Sequence, residues 1–324
     1  MHYTKYSNLN YFGGFLKRPL YRDQNNEYYF SFRSALAKII EICDIRELYL
    51  PVYFCHDVTK YIRKLKLRIK FYNIDENFLP ELDQLPPKSK LLYVNYFGIC
   101  DIQVKEVITK YSEENVILDL SQRLWMDTKC FAKLNSIRKF AAVADGSRLQ
   151  VEADNIDIRN KGLEPKVSLE HIMNPEQGLS YEKYLVHERS FAKRANQNMS
   201  TATELVLQNI DMSHLAFTRH RNFTLVDGLL KQYNAIDYES LPECPLCYPF
   251  LPKLDLNKQE LIERRIYTPT YWPIISGLTY SEFEMQLVDK CLFIPVDQRY
   301  NTDEIVKNCE LVIGLLEEKY ATRG

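Results

Sequence analysis

The feature that most restricts how this chain can fold is an alternation of apolar runs and helical stretches between Glu47 and Asp119. Glu47-Leu48-Tyr49-Leu50-Pro51-Val52-Tyr53 reads as a strand that ends at Pro51. His56 to Leu65 fits a helix, and Leu67 to Tyr72 a strand. Ser89 to Gly98 reads as a strand running into a glycine turn, and Val104 to Tyr111 as a helix. Val116-Ile117-Leu118-Asp119 then reads as a buried strand, an apolar run that stops abruptly on a carboxylate. Strands and helices alternating at this spacing predict a mostly parallel sheet with helices on both faces, a three-layer α/β arrangement. In such sheets ligands collect outside the carboxyl ends of the strands. Pro51, Gly98 and Asp119 all fall at those ends.

The flanks are less regular. Residues 1–26 are polar and rich in Tyr, with Gly13-Gly14 as a turn, and are expected to form an irregular N-terminal arm. From Ser31 to Ile40 the apolar spacing becomes helical. A large domain is expected over 27–210 and a smaller C-terminal α+β domain over 211–324. Tyr181 to about Gln232 is long and helical in composition, and a Pro/Cys-rich break follows between Glu239 and Leu254. Arg265-Ile266-Tyr267-Thr268-Pro269 and Leu292-Phe293-Ile294-Pro295 are predicted as short strands, and Asp303 to Lys319 as a final amphipathic helix.

Composition excludes some functions. A chain of 324 residues is long for a single core, which agrees with two domains. Charge is nearly balanced, with 42 basic and 43 acidic residues, so nothing points to nucleic acid or to an anionic membrane. The 8 Cys show no regular framework and read as reduced thiols of a cytoplasmic protein. The start, Met1-His2-Tyr3-Thr4-Lys5, has no apolar core of a signal peptide. No apolar run reaches the roughly 18 residues needed to span a bilayer.

Chemistry concentrates between Val116 and Gly146. Asp119 ends a strand, and Lys139 follows about twenty residues later, three residues after Ser136 and seven before Gly146. An acid and a lysine so placed suit a cofactor that carries a pyridinium nitrogen and an aldehyde. The carboxylate would keep the ring nitrogen protonated, and the amine would form the Schiff base. Each residue also has an ordinary reading. Lys139 could be a solvated lysine, Asp119 a turn cap and Ser34 a plain helix N-terminal residue. Cys244-Pro245-Leu246-Cys247 has redox or zinc spacing, but no second pair follows, so a structural turn with two ordinary thiols is expected and no metal site. Cys55 and His56 are adjacent, and side chains so placed on a strand point apart, which argues against a nucleophilic couple. Arg219 and Arg221 are expected on the solvated face of a long helix, with a substrate diphosphate or carboxylate as the alternative partner.

Several stretches taken in order resemble the DegT-like (DegT/StrS) nucleotide-sugar aminotransferases, a branch of the fold-type-I pyridoxal-phosphate enzymes. Ser31-Phe32-Arg33-Ser34-Ala35-Leu36 resembles the family's Ser-Gly-Thr/Arg-x-Ala-Leu helix start. Pro51-Val52-Tyr53-Phe54-Cys55 resembles its Pro-aromatic segment, and Asn95-Tyr96-Phe97-Gly98 with Asp101 its strand-turn. Asp119 with Gln122 matches the Asp-x-x-His/Gln pair, and Lys139 with Gly146 keeps the lysine-to-glycine spacing. Arg265 to Pro273 and Ile294 to Tyr300 resemble small-domain segments. The likeness spans about residues 30–320. It departs from the family at Phe32, which replaces a glycine, at Cys55, where a ring-covering aromatic is usual, and at Ser147, which replaces a second glycine.

The resemblance implies an aspartate-aminotransferase-like large domain and pyridoxal phosphate as cofactor. It gives Lys139 the Schiff base and the proton shuttle, and Asp119 the ring nitrogen. Gln122 would meet the ring's phenolic oxygen. Ser34 and Ala35 would offer backbone N–H groups to the phosphate at a helix N-terminus, and Ser136 a hydroxyl. Cys55 would lie at the ring face. The substrate implied is a keto sugar on a nucleotide, with glutamate as amino donor, in bacterial surface-glycan assembly by a homodimer. The three departures support an alternative, a non-catalytic relative that serves as a binding or regulatory module. A dehydratase is disfavoured, because the family's dehydratases carry His where Lys139 stands.

Overall fold

The computed structural model describes residues 25–152, 156–159, 185–186, 188–191, 197–254, 256, 258–264 and 266–321. The predicted arm lies outside these residues as far as residue 24, and a strand already begins at Asn26. Much of the first half of the helical stretch predicted from Tyr181 also lies outside them.

Seven strands form the main sheet: β1 (Asn26–Tyr29), β2 (Glu47–Pro51), β3 (Arg68–Tyr72), β4 (Lys90–Val94), β5 (Val116–Asp119), β6 (Ala132–Leu134) and β7 (Ser147–Val151). Their order is β1-β7-β6-β5-β4-β2-β3. The five from β6 to β3 run parallel, and β7 and β1 add antiparallel strands at one edge. Helices α1 (Phe32–Ile42), α2 (His56–Ile62) and α3 (Asp101–Tyr111) connect the parallel strands. The predicted three-layer, mostly parallel sheet is therefore present.

The central strands owe their position to composition. Val116, Ile117 and Leu118 are fully buried, as are Leu91, Leu92 and Val94 on the neighbouring strand. Each such side chain contributes about 1.5–3 kcal/mol relative to exposure. Helix α1 starts where Ser31 caps it, its Oγ accepting the Ser34 N–H at 3.2 Å. It buries Leu36, Ile39 and Ile40 at helical spacing.

A second, two-stranded antiparallel sheet pairs β8 (Cys247–Phe250) with β9 (Leu292–Pro295). Beyond the first three helices, the described residues form α4 (Thr201–Leu207), α5 (Met212–Leu230), α6 (Lys258–Glu263), α7 (Glu282–Asp289) and α8 (Thr302–Ala321). A second core gathers Phe223, Val226 and Leu230 of α5, Tyr248 and Phe250 of β8, and Ile305, Val312 and Leu316 of α8.

Two readings need correction. The Pro/Cys-rich stretch is not merely a break, because it contains β8. Pro249 is tolerated there because a strand with one neighbour leaves one edge unbonded. The strand expected over Arg265–Pro269 is absent among its described residues, 266–269, which are irregular. The irregular chain continues to Tyr271 and Trp272, which pack on rings of the main core rather than pairing in a ladder. Trp272 lies 4.9 Å from the Tyr53 ring and Tyr271 5.9 Å from the Phe97 ring. No helix among the described residues is long and apolar enough to cross a membrane.

Candidate active site

Sheet register fixes where Asp119 ends its strand and where the segment that carries Lys139 leaves the sheet. Val94 is level with Asp119, and Asp119 with Leu134, so β4, β5 and β6 end at one height. The connection from β6 to the antiparallel β7 begins there and carries Lys139. Ser136 opens a 3-10 turn over Ile137–Lys139, and its carbonyl accepts the Lys139 N–H at 3.1 Å. The turn is closed by the Gly146 carbonyl, which accepts from Ile137 N–H at 3.0 Å. Gly146 has φ +115, a conformation that favours glycine, and a Cβ there would press on Met199 Sδ at 3.2 Å.

Asp119 is 4% exposed, and its Oδ1 accepts the Ser121 N–H at 2.7 Å. Burial pushes its carboxyl above the ordinary range, against the pull of Lys139 and of Ser121. Burial pushes the Lys139 amine below the ordinary lysine range, and the charges of Asp119 and Cys55 work in the opposite direction. Such charge effects fade with distance. The charges of Asp119 and Cys55 thus act on the amine of Lys139, whose turn leaves β6 at the carboxyl ends of the strands. Cys55 is half-buried at the start of α2.

Gln122 is fully buried three residues past Asp119. Its Oε1 accepts the Phe97 N–H at 2.8 Å, and its Nε2 has no hydrogen-bond partner among the described residues. A buried donor left unpaired costs about 1–3 kcal/mol, so this amide is set to meet an acceptor from outside the chain. Gly98 makes the approach feasible. Its φ is +81, and a Cβ would stand 2.4 Å from the Gln122 carbonyl oxygen.

At the N-terminus of α1 the donors differ from those expected. The Ser34 amide is spent on Ser31 Oγ and the Ala35 amide on Ser31 O at 3.0 Å. By position, the first-turn amides without an intrahelical acceptor are those of Phe32 and Arg33. The Ser34 and Ser31 hydroxyls lie 2.9 Å apart. Ser136 is buried and its hydroxyl does not cap the turn that it opens. The Phe32 side chain is buried in the main core.

Sequence reasoning passed over Arg33. Its side chain is 8% exposed and makes no hydrogen bond or ion pair among the described residues. It lies 5.4 Å from the Phe191 ring, and Arg138, paired with Glu188 at 2.6 Å, lies 4.6 Å from the same ring. A buried cation beside a helix N-terminus, with no carboxylate of its own, favours an anion there.

Arg219 does not occupy the solvated face predicted for it. It is 2% exposed, whereas Arg221 is exposed as expected. The positions buried on α5, at 215, 218, 219, 222, 223, 226 and 230, follow the helical period, so spacing alone placed Arg219 inward. The thiols of Cys244 and Cys247 are free and buried, as expected for a structural turn. Among the described residues no group of His, Cys, Asp and Glu is arranged to hold a metal. Two surface concavities lie elsewhere, one beside Ile99 and Tyr238 and one along Phe217, Thr224 and Gly228 of α5.

No protein-family model matches the sequence, and no curated protein sequence is found to be related to it. Solved structures do match. A sugar aminotransferase of Streptococcus pneumoniae, Spr1654, in its PMP form, superposes with a TM-score of 0.63 at 14% identity, over 90% of this chain and 88% of that one. A DegT DnrJ EryC1 StrS aminotransferase of Brucella abortus gives 0.65 at 12% identity, over 90% and 85%. PseC of Helicobacter pylori, an aminotransferase involved in the biosynthesis of pseudoaminic acid, gives 0.60 at 13% identity, over 90% and 87%. The chain therefore has the fold of these DegT-like aminotransferase structures.

Proposed function

We propose that this protein is a pyridoxal-phosphate-dependent aminotransferase acting on a nucleotide-linked keto sugar. Glutamate would be its amino donor, and it would work as a cytoplasmic homodimer in bacterial surface-glycan biosynthesis. The observation that carries the reading is that sheet register ends β4, β5 and β6 at one height, with Asp119 at the end of β5 and Lys139 in the turn that leaves β6. Relatives in fold include Spr1654 in both a PLP and a PMP form.

The residues present fit the cofactor. The unpartnered Gln122 Nε2 supplies a buried donor for the ring's phenolic oxygen. Asp119 supplies the carboxylate for the ring nitrogen. The start of α1, with the Phe32 and Arg33 amides, the Arg33 guanidinium and the Ser34 and Ser136 hydroxyls, suits the phosphate. Cys55 would lie against the ring face. When bound, pyridoxal phosphate supplies an aldehyde and an electron-withdrawing protonated ring.

The chain's own groups then have distinct tasks. Burial keeps Lys139 neutral at a lower pH than a surface lysine, so its amine is available both as nucleophile and as general base. Asp119 stays fixed through Ser121 and balances a positive charge on its partner. The amine of Lys139 would carry the proton to and from the substrate carbon.

The test is a half-reaction. Loaded protein given glutamate should release 2-oxoglutarate once per site, and a keto-sugar nucleotide should then recover the amino group. No keto acid from glutamate or any other amino acid would overturn the aminotransferase reading. The engagement of the Ser34 and Ala35 amides favours a second reading, a binding module that has lost the cofactor. A thermal shift with sugar nucleotides but none with pyridoxal phosphate would select it.

A further inference from the structure

Arg219 lies midway along α5, nearly fully buried, and no carboxylate pairs with it among the described residues. Burial pushes its guanidinium below the ordinary value, so its charge is held at a cost. A packing role alone would be met by an apolar side chain of similar size. The contacts show what the guanidinium does instead. On one side its Cζ stands 4.7 Å from the ring centroid of Phe140, the residue that follows Lys139. On the other side its NH1 donates to the carbonyls of Pro245 and Leu246, at 3.0 and 3.1 Å.

Each side leads to a site residue. The Leu246 N–H donates to the Phe97 carbonyl at 2.8 Å, and the Phe97 N–H donates to Gln122. Phe140 is held a second time, where Gln298 Nε2 donates to its carbonyl at 2.7 Å. Its own N–H closes the lysine turn on Ile137 O at 2.9 Å.

We propose that Arg219 is a positioning residue that holds the Lys139 turn and the Gln122 turn in register, through Phe140 on one side and through Leu246 and Phe97 on the other. The proposal deepens the reading of Lys139 and Gln122 as site residues and rests on it. Arg suits the task where Lys does not. Its planar group offers a face to the ring and an edge to two carbonyls at once. Because the guanidinium comes from α5 and the Phe140 carbonyl partner from the segment after β9, the C-terminal part of the chain determines where the lysine amine stands.

The experiment is competitive acetylation of the cofactor-free full chain over a pH series, with the Lys139 peptide read by mass spectrometry. Loosening the turn lets water reach the amine, and its lowered titration point returns toward that of an ordinary lysine. Arg219→Met should raise the Lys139 midpoint by about one pH unit, an about tenfold loss of labelling below the midpoint. Gln298→Leu should shift it in the same direction from the other end of Phe140. Arg219→Lys should recover only part of the shift, and exposed lysines should be unchanged in every variant. An Lys139 profile like that of the unaltered protein in both Arg219→Met and Gln298→Leu overturns the proposal. Should Arg219→Met fail to fold, Arg219→Lys and Gln298→Leu decide the matter, and unshifted profiles in these two overturn it. Because no cofactor is added, the outcome is separate from whether the protein binds pyridoxal phosphate.

Discussion

The Phe97 amide donates to Gln122 Oε1 at 2.8 Å, and that bond decides which end of the Gln122 side chain is left over. A backbone N–H only donates, so the oxygen must face it and the Nε2 must face away. Gln122→Glu keeps the acceptor for Phe97 but removes the spare donor. We expect an about tenfold or greater loss of pyridoxal-phosphate affinity, from losing a hydrogen bond and placing a carboxylate near an anionic oxygen. Titration followed by absorbance checks this, and unchanged affinity would contradict the role given to Nε2.

Gly98 keeps that geometry intact. It sits at φ +81, and an added Cβ would meet two backbone atoms, Gln122 O at 2.4 Å and Pro245 Cα at 2.9 Å. Neither can step aside as a flexible side chain does. Gly98→Ala should destabilise the fold by at least about 2 kcal/mol in urea denaturation, from strain at a positive φ plus the clash.

Arg123 is 2% exposed and holds Asp101 through three bonds, Nε to Oδ1 at 3.0 Å, Nε to Oδ2 at 3.2 Å and NH2 to Oδ2 at 3.0 Å. Its other partner, Glu243, is mostly exposed. Asp101→Ala leaves a buried guanidinium with only the exposed Glu243 as partner and should cost about 3 kcal/mol. Glu243→Ala should cost less than about 1 kcal/mol, as for exposed pairs generally. Equal losses in the two variants, measured by chemical denaturation, would show that Asp101 is not the anchor.

Asp119 and Lys139 must also respond to one another. The carboxylate favours the charged amine, so removing it should lower the Lys139 titration point further below the ordinary lysine range. In Asp119→Asn the amine should therefore become reactive at lower pH than in the unaltered chain. Acetylation of Lys139 across pH measures the direction, and an unchanged profile would mean that the two groups do not interact.

Much of this was legible in the sequence, and the reasons for the failures are physical. The parallel strands showed because Val116-Ile117-Leu118 and Leu91-Leu92 are apolar on both faces. Strand β6 is only three residues long, too short for a periodic signal, and one of them is Lys133, buried with its Nζ on Thr128 O at 2.7 Å. Strand β1 buries Asn26, which read as the end of a polar arm, and Glu27 beside it. Asp119 and Lys139 were singled out from type and spacing and Gln122 from the family resemblance, and sheet register puts Asp119 at the strand ends from which the Lys139 turn departs. The burial of Arg33 was hidden because it depends on the Phe191 ring, far from it in the chain. The bonds of Arg219 join residues far apart in the chain, and no spacing rule contains them.

The central claim is that Lys139 is the amine that captures the cofactor aldehyde. Adding pyridoxal phosphate, reducing with borohydride and locating the adduct by mass spectrometry tests it most directly. The account predicts one pyridoxyl group per chain on Lys139, with a near-visible absorbance before reduction that is lost in Lys139→Ala. An unmodified Lys139, or labelling scattered over surface lysines and unchanged in Lys139→Ala, would contradict it.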